Sequence, residues 1–206
     1  MLDYWKEDYF MRGYSNFGRY VASKKLKNDI KISKHMKKYI AFLRGINVGK
    51  IRIKMPDLKL AFENLDFQQV KSYLQTGNVV FESDKTNEII KSLLEKKLSE
   101  TFHYEAYVLL YEFDFLAQII VQYPHERNES HHAYVIFIDN DLIFEELKNI
   151  VESSNEPITL GNQVIYWKVV KGESLETPFS KILAKAKYKK NTTVRNINTL
   201  EKMIEG

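Results

Sequence analysis

The chain has no cysteine. This excludes disulfide frameworks, thiolate metal sites and cysteine nucleophiles together, and it makes the reducing cytoplasm the expected compartment. Long apolar runs are missing too. No stretch approaches the roughly 18 uncharged residues of a membrane-spanning helix. The opening segment carries Asp3, Lys6, Glu7, Asp8 and Arg12 where a secretory signal needs its apolar centre. Neither a membrane span nor export is expected. Only 8 glycines and 4 prolines occur among 206 residues, which excludes collagen-like and low-complexity organisation. The 44% hydrophobic content can build a packed core, in one domain or two small ones.

Charge is unevenly placed. The net charge is +4, and residues 1–35 hold eight Lys or Arg against four Asp or Glu. The rest of the chain, with 23 of each sign, is neutral. Basicity therefore says little about a nucleic-acid partner for the body. The first 35 residues, rich in Tyr and Lys, show no sustained helical or strand period. They are expected to be an N-terminal extension, poorly ordered or lying before the functional start at Met36. A basic, aromatic arm that stacks on single-stranded nucleic acid is the alternative reading, without a reader motif to carry it.

From Tyr39 the pattern becomes regular. Residues 39–43 read as a buried strand, and Met55, Leu58, Phe62 and Leu65 mark a helix. Residues 70–74 and 79–81 flank Gln75-Thr76-Gly77-Asn78, where Gly77-Asn78 suits a two-residue hairpin turn with positive φ. A helix through Ile89, Ile90, Leu93, Leu94 and Leu98 and a strand at 107–110 complete a β-α-β-β-α-β unit. A bridging helix carries Phe113, Leu116 and Ile120, and then the same order recurs. Its parts are a strand at 133–138, a helix through Ile143, Leu147, Ile150 and Val151, and a hairpin at Gly161-Asn162. A helix capped by Thr177 with Pro178 at its first position follows, then a strand at 192–195. Asn198 and Glu201 suggest a capping box for a terminal helix.

The expected fold is α+β, a tandem duplication of ferredoxin-like β-α-β-β-α-β units with antiparallel sheets. The first subdomain covers residues 36–112 and the second 113–206. Residues 39–43 and 134–138 are apolar on both alternating sets, so both sheet faces should be covered, by the other repeat or by a partner chain. This counts against an open RNA-reading sheet.

Strand directions in such a unit bring the loop at residues 44–54 and the hairpin at 75–78 to one end of the sheet. Arg44, Asn47, Lys50, Arg52, Lys54, Gln75, Thr76 and Asn78 would then converge as a patch of donors, with Arg195 as a further candidate, and a small anion or phosphate is the natural guest. Each has a plainer reading, as a solvated charge or a turn residue. Gly45, Gly49 and Gly77 serve turns. Residues 45–50 are one residue short of a phosphate loop and have Ile51 where magnesium needs Ser or Thr, which excludes a Walker-type nucleotidase. His125, His131 and His132 match no zinc spacing and read as a solvated loop. Asp139-Asn140-Asp141 reads as a helix cap rather than a metal site, and the adjacent Ser180 and Lys181 point too far apart on a helix for a nucleophile pair. No catalytic residue, metal or cofactor is nominated.

The motifs at residues 41–49, Lys54-Met55, residues 73–81, and Thr192-Thr193-Val194-Arg195-Asn196 with Thr199 closely resemble the bacterial domain-of-unknown-function family 1697. The resemblance spans Met36 to the C-terminus and implies a tandem pair of α+β subdomains without an assigned activity. It implies motif roles for Arg44, Gly45, Asn47, Gly49, Lys54, Gln75, Gly77, Asn78, Arg195 and Asn196. Three departures stand out. Lys50 follows Gly49 where the family has a second glycine in a longer loop, Thr76 replaces a common Ser, and Ile197 replaces a usual Trp. Three function classes follow: a binder of, or enzyme acting on, a small anionic ligand, a nucleic-acid binder, and a structural or protein-interaction module. The sequence leaves oligomeric state open.

Overall fold

The computed structural model describes residues 36–47 and 51–206, with the backbone alone at Gln75. The expected N-terminal extension, Gly49, Lys50 and the Gln75 side chain lie outside the described residues. Eight strands alternate with helices: β1 (Lys37–Arg44), α1 (Met55–Glu63), β2 (Gln68–Tyr73), β3 (Asn78–Ser83), α2 (Asn87–Phe102), β4 (Tyr107–Glu112), α3 (Phe113–Val121), β5 (His131–Ile138), α4 (Asp141–Glu152), β6 (Ile158–Leu160), β7 (Val164–Val170), α5 (Pro178–Leu183), α6 (Ala186–Lys189), β8 (Thr192–Asn196) and α7 (Ile197–Glu205).

The strands form two four-stranded antiparallel sheets, ordered β2-β3-β1-β4 and β6-β7-β5-β8. The second order repeats the first, and the protein is α+β.

Strand alternation sorts the side chains into three apolar layers. Tyr39, Ala41 and Leu43 of β1 meet Leu58 and Phe62 of α1 and Ile90, Leu94 and Leu98 of α2. Ile136 and Ile138 of β5, with Ile165 and Trp167 of β7, meet Leu147 of α4 and Phe179 of α5. Between them lies a layer to which both sheets contribute. Ile40, Phe42, Val80 and Leu109 from the first sheet and Val135, Phe137, Val164 and Tyr166 from the second pack there with Leu116, Ile119, Ile197, Leu200 and Met203. The Phe42 and Phe137 rings stand 4.6 Å apart across this seam. Each sheet is thus covered on both faces, as the apolar runs require. Ile197 is fully buried in the seam.

Three local readings change. The first hairpin turns through a 3-10 segment at Leu74–Thr76, with Gly77 left-handed at φ 76° and Asn78 already in β3, so Gly77-Asn78 is not a two-residue turn. In the second hairpin Gln163, not Gly161, takes the positive φ, at 56°. Gly161 serves close approach instead, because a Cβ there would lie 2.6 Å from the Tyr166 ring. The terminal helix is capped by Asn196, whose side chain accepts from the Asn198 amide, while Glu201 pairs with Arg127. Thr177 and Asn140 cap α5 and α4 as the sequence suggests, accepting from the amides of Ser180 and Ile143.

Candidate functional site

The end of β1 and the start of β3 meet at one end of the seam. Phe42 pairs with Asn78, and the Leu43 amide donates to the Gly77 carbonyl at 2.7 Å. Gly77 has no room for a side chain: a Cβ would fall 2.8 Å from Ile46 Cδ1 and 3.0 Å from Leu43 Cβ. The 44–54 loop folds over this point through Ile46, which is buried. It is closed by Asn47, whose Oδ1 accepts from the Ile53 amide at 2.9 Å.

Arg195 enters from the other sheet. On β8 it sits opposite Val135, so it shares the seam face, and its guanidinium lies 5.1 Å from the Phe42 ring centroid. Nε donates to Asn78 Oδ1 at 2.6 Å. Nη1 donates to Thr193 Oγ1 at 2.6 Å and the Val194 carbonyl at 2.9 Å. Nη2 reaches the carbonyls of Thr76 at 3.3 Å and Leu43 at 3.4 Å. All five of its N–H donors are therefore spent within the protein. Every acceptor is neutral, and no carboxylate pairs with Arg195 among the described residues. Burial, together with repulsion from Arg44, pushes its pKa down to about 9.

Asn78 is equally committed. Its side chain is completely buried, its amide donates to the Tyr73 carbonyl and Thr76 Oγ1, and its oxygen receives Arg195. Of the expected donors, Asn78, Thr76 and Arg195 come together, and they hold one another. Arg195, Asn78 and Thr76 tie the two sheets together, and Asn47 closes the loop. Lys54 stands exposed ahead of α1.

Arg44 differs. As the last seam-facing residue of β1 it is partly buried, directly across from Tyr107 of β4. Burial holds its guanidinium pKa below the usual range. No hydrogen bond or ion pair reaches it among the described residues. Two residues that the sequence did not single out stand beside its partner in β4 and its neighbour in the chain. Lys190 places its ammonium 5.0 Å from the Tyr107 ring centroid. The Tyr104 ring lies beneath Gly45, its buried hydroxyl without a partner among the described residues and its pKa pushed up to about 12 by burial. Such aromatic and basic residues on separate segments leave no local motif.

The remaining candidates disperse. His125 is near Thr159 at 3.3 Å, His131 contacts Asn128 and Ser130, and His132 lies 3.5 Å from the Asn196 amide. Among the described residues no three His, Asp or Glu side chains gather as a metal would need. Asn140 caps α4, Asp139 pairs with Lys91, Ser180 donates to the Thr177 carbonyl and Lys181 faces Glu176.

Two antiparallel sheets stacked over a shared apolar layer, tied at one end by a buried arginine, define an α+β protein of paired β-sheet units. A family model described as "Protein of unknown function (DUF1697)" matches residues 36–166, and the chain belongs to that family. Among solved structures it is similar to the conserved bacterial protein SP0830 from Streptococcus pneumoniae, at 24% identity and a TM-score of 0.70, covering 83% of this chain and 99% of that one. That likeness concerns the fold. No curated protein matches. Among the described residues no helix is long and apolar enough to cross a membrane.

Proposed function

We propose that the protein binds a small anionic ligand at the end of the seam, with Arg44 as the contacting residue and Arg195 as a fixed source of positive potential behind it. The observation that carries this reading is the contrast between the two guanidinium groups. Among the described residues, Arg195 has no donor left to offer, while Arg44 has spent none of its side-chain donors and is drawn partly out of water near a second cation without a paired carboxylate. Taking a cation out of water without an opposite charge is costly, and an anion seated against the planar fork of Arg44 offsets that cost. Lys54 and the 75–76 turn stand at the same end of the sheet and complete the candidate set. A nucleic-acid-reading sheet draws no support from the architecture, since both faces of each sheet are covered. The finer fold reading belongs here as well. We infer that the two sheets are tandem copies of a ferredoxin-like unit, divided near residue 112, because strand order and connections repeat.

Thermal denaturation of the full chain at low ionic strength with inorganic phosphate, sulfate and simple carboxylates tests the site. The wild-type midpoint rises with at least one of these anions, by the equivalent of about 2.7 kcal/mol at a hundredfold excess over Kd. In Arg44→Gln the rise disappears. No rise in the wild type, or an undiminished rise in Arg44→Gln, would falsify the assignment.

A further inference from the structure

A second concave site lies where β5 begins, β7 ends and α7 starts, a cleft of about 310 Å³. Most of the residues that line it are polar or charged, and they come from the loop before β5, from β5 and β7, and from the start of α7. Arg127 shapes one wall. It donates through Nη1 and Nη2 to the Glu201 carboxylate at 2.5 and 2.9 Å and to Asn198 Oδ1 at 2.7 Å, which pins the loop before β5 to α7. His131 is oriented as well, with Nδ1 2.8 Å from Asn128 Oδ1. A proton on Nδ1 satisfies that contact and leaves Nε2 as an acceptor.

Charge within the cleft is balanced in number but largely unpaired. Arg127 is neutralised by Glu201, but the Lys168 and Lys171 ammoniums, which also line it, have no ion-pair or hydrogen-bond partner among the described residues. The carboxylates of Glu126 and Glu129 line the same cleft and are likewise unpaired. A bare anion would meet two attractive and two repulsive charges there. A ligand that carries an anionic group for the lysines and hydroxyl donors for Glu126, Glu129 and His131 Nε2 satisfies both sets.

We propose that this cleft binds a small phosphorylated polyol, of the size of a monosaccharide phosphate, independently of Arg44. Calorimetric titration of the full chain with a hexose phosphate, the unphosphorylated hexose and inorganic phosphate tests it. The hexose phosphate binds at least tenfold more tightly than either fragment. Lys168→Ala combined with Lys171→Ala weakens it at least tenfold while leaving the circular dichroism spectrum and melting midpoint unchanged, as expected for side chains outside the core. Glu129→Gln lowers the preference over inorganic phosphate, and Arg44→Gln changes nothing. The proposal is overturned by any of three results: absence of hexose phosphate binding, equal affinity for inorganic phosphate, or binding that survives the double lysine change. Because the seam site is read out with Arg44→Gln and simple anions, failure of either site leaves the other standing.

Discussion

The ends of the first strands in the two sheets, β1 and β5, occupy corresponding positions yet are built for different work. Phe42 and Phe137 are equivalent seam residues, each opposite the first residue of the neighbouring strand. In the first sheet that residue is the buried polar Asn78, and in the second it is the buried apolar Val164. Two positions further on, the first sheet has Arg44 and the second Asp139. The loop after β1 wraps over a left-handed glycine, whereas Asp139 and Asn140 lead directly into α4, with Asn140 as its cap. The same strand order thus accommodates an ordinary strand-to-helix turn in the second sheet. In the first it accommodates a polar junction that receives an arginine from across the seam. The buried Asn78 and the arginine it receives lock the sheets at that end, beside an Arg44 that has no partner among the described residues.

The sharpest way to break this comparison is to remove the lock. Arg195→Met keeps much of the stem and strands Asn78 Oδ1 with the Leu43 carbonyl, both on buried residues, while the Thr76 carbonyl on the exposed turn can turn to water. With each orphaned buried group costing about 1–3 kcal/mol, a loss of roughly 3–5 kcal/mol in urea unfolding is expected. A loss below about 1 kcal/mol would show that the network is decorative.

Next in size is the pair of left-handed residues preceding β3 and β7. Gly77→Ala places a Cβ against Ile46 and Leu43 at φ 76° and should cost roughly 1–3 kcal/mol. Gln163→Gly relieves left-handed strain at a position without that closure and should change stability by under about 1 kcal/mol. Equal losses from both would mean that the two turns are equivalent after all.

Arg44→Met should produce the smallest effect. With no bond to lose and a repulsion removed, it is expected to alter stability by within about 0.5 kcal/mol, or to raise it slightly. A loss comparable to that of Arg195→Met would make Arg44 a structural residue.

Much of the architecture was legible because apolar alternation reports burial directly. The runs through Ala41 and Val135 showed that both faces of each sheet are covered, and Thr177 before Pro178 announced α5. Turn register was harder. Gly161 looked like the special backbone position, but glycine can equally mark a close approach, and here Tyr166 occupies the space its side chain would need. The candidate site was only half legible. The meeting of Arg44 with the 75–78 turn follows from strand direction, whereas the consumption of every Arg195 donor depends on how the second sheet lies over the first. Periodicity carries no information on that. The cleft beside His131 escaped notice for the same reason, its lysines and carboxylates coming from different segments.

The Arg195 tie also orders events in time. It joins residues 117 to 152 positions apart, and β8 follows the other seven described strands in the chain. Until β8 has been made, Asn78 and the Leu43 carbonyl therefore lack that donor. Contacts of such long range are also the slowest to close during folding. Closing them completes the tie and the positive field behind Arg44, so any binding that depends on that field reports a chain made and folded through β8.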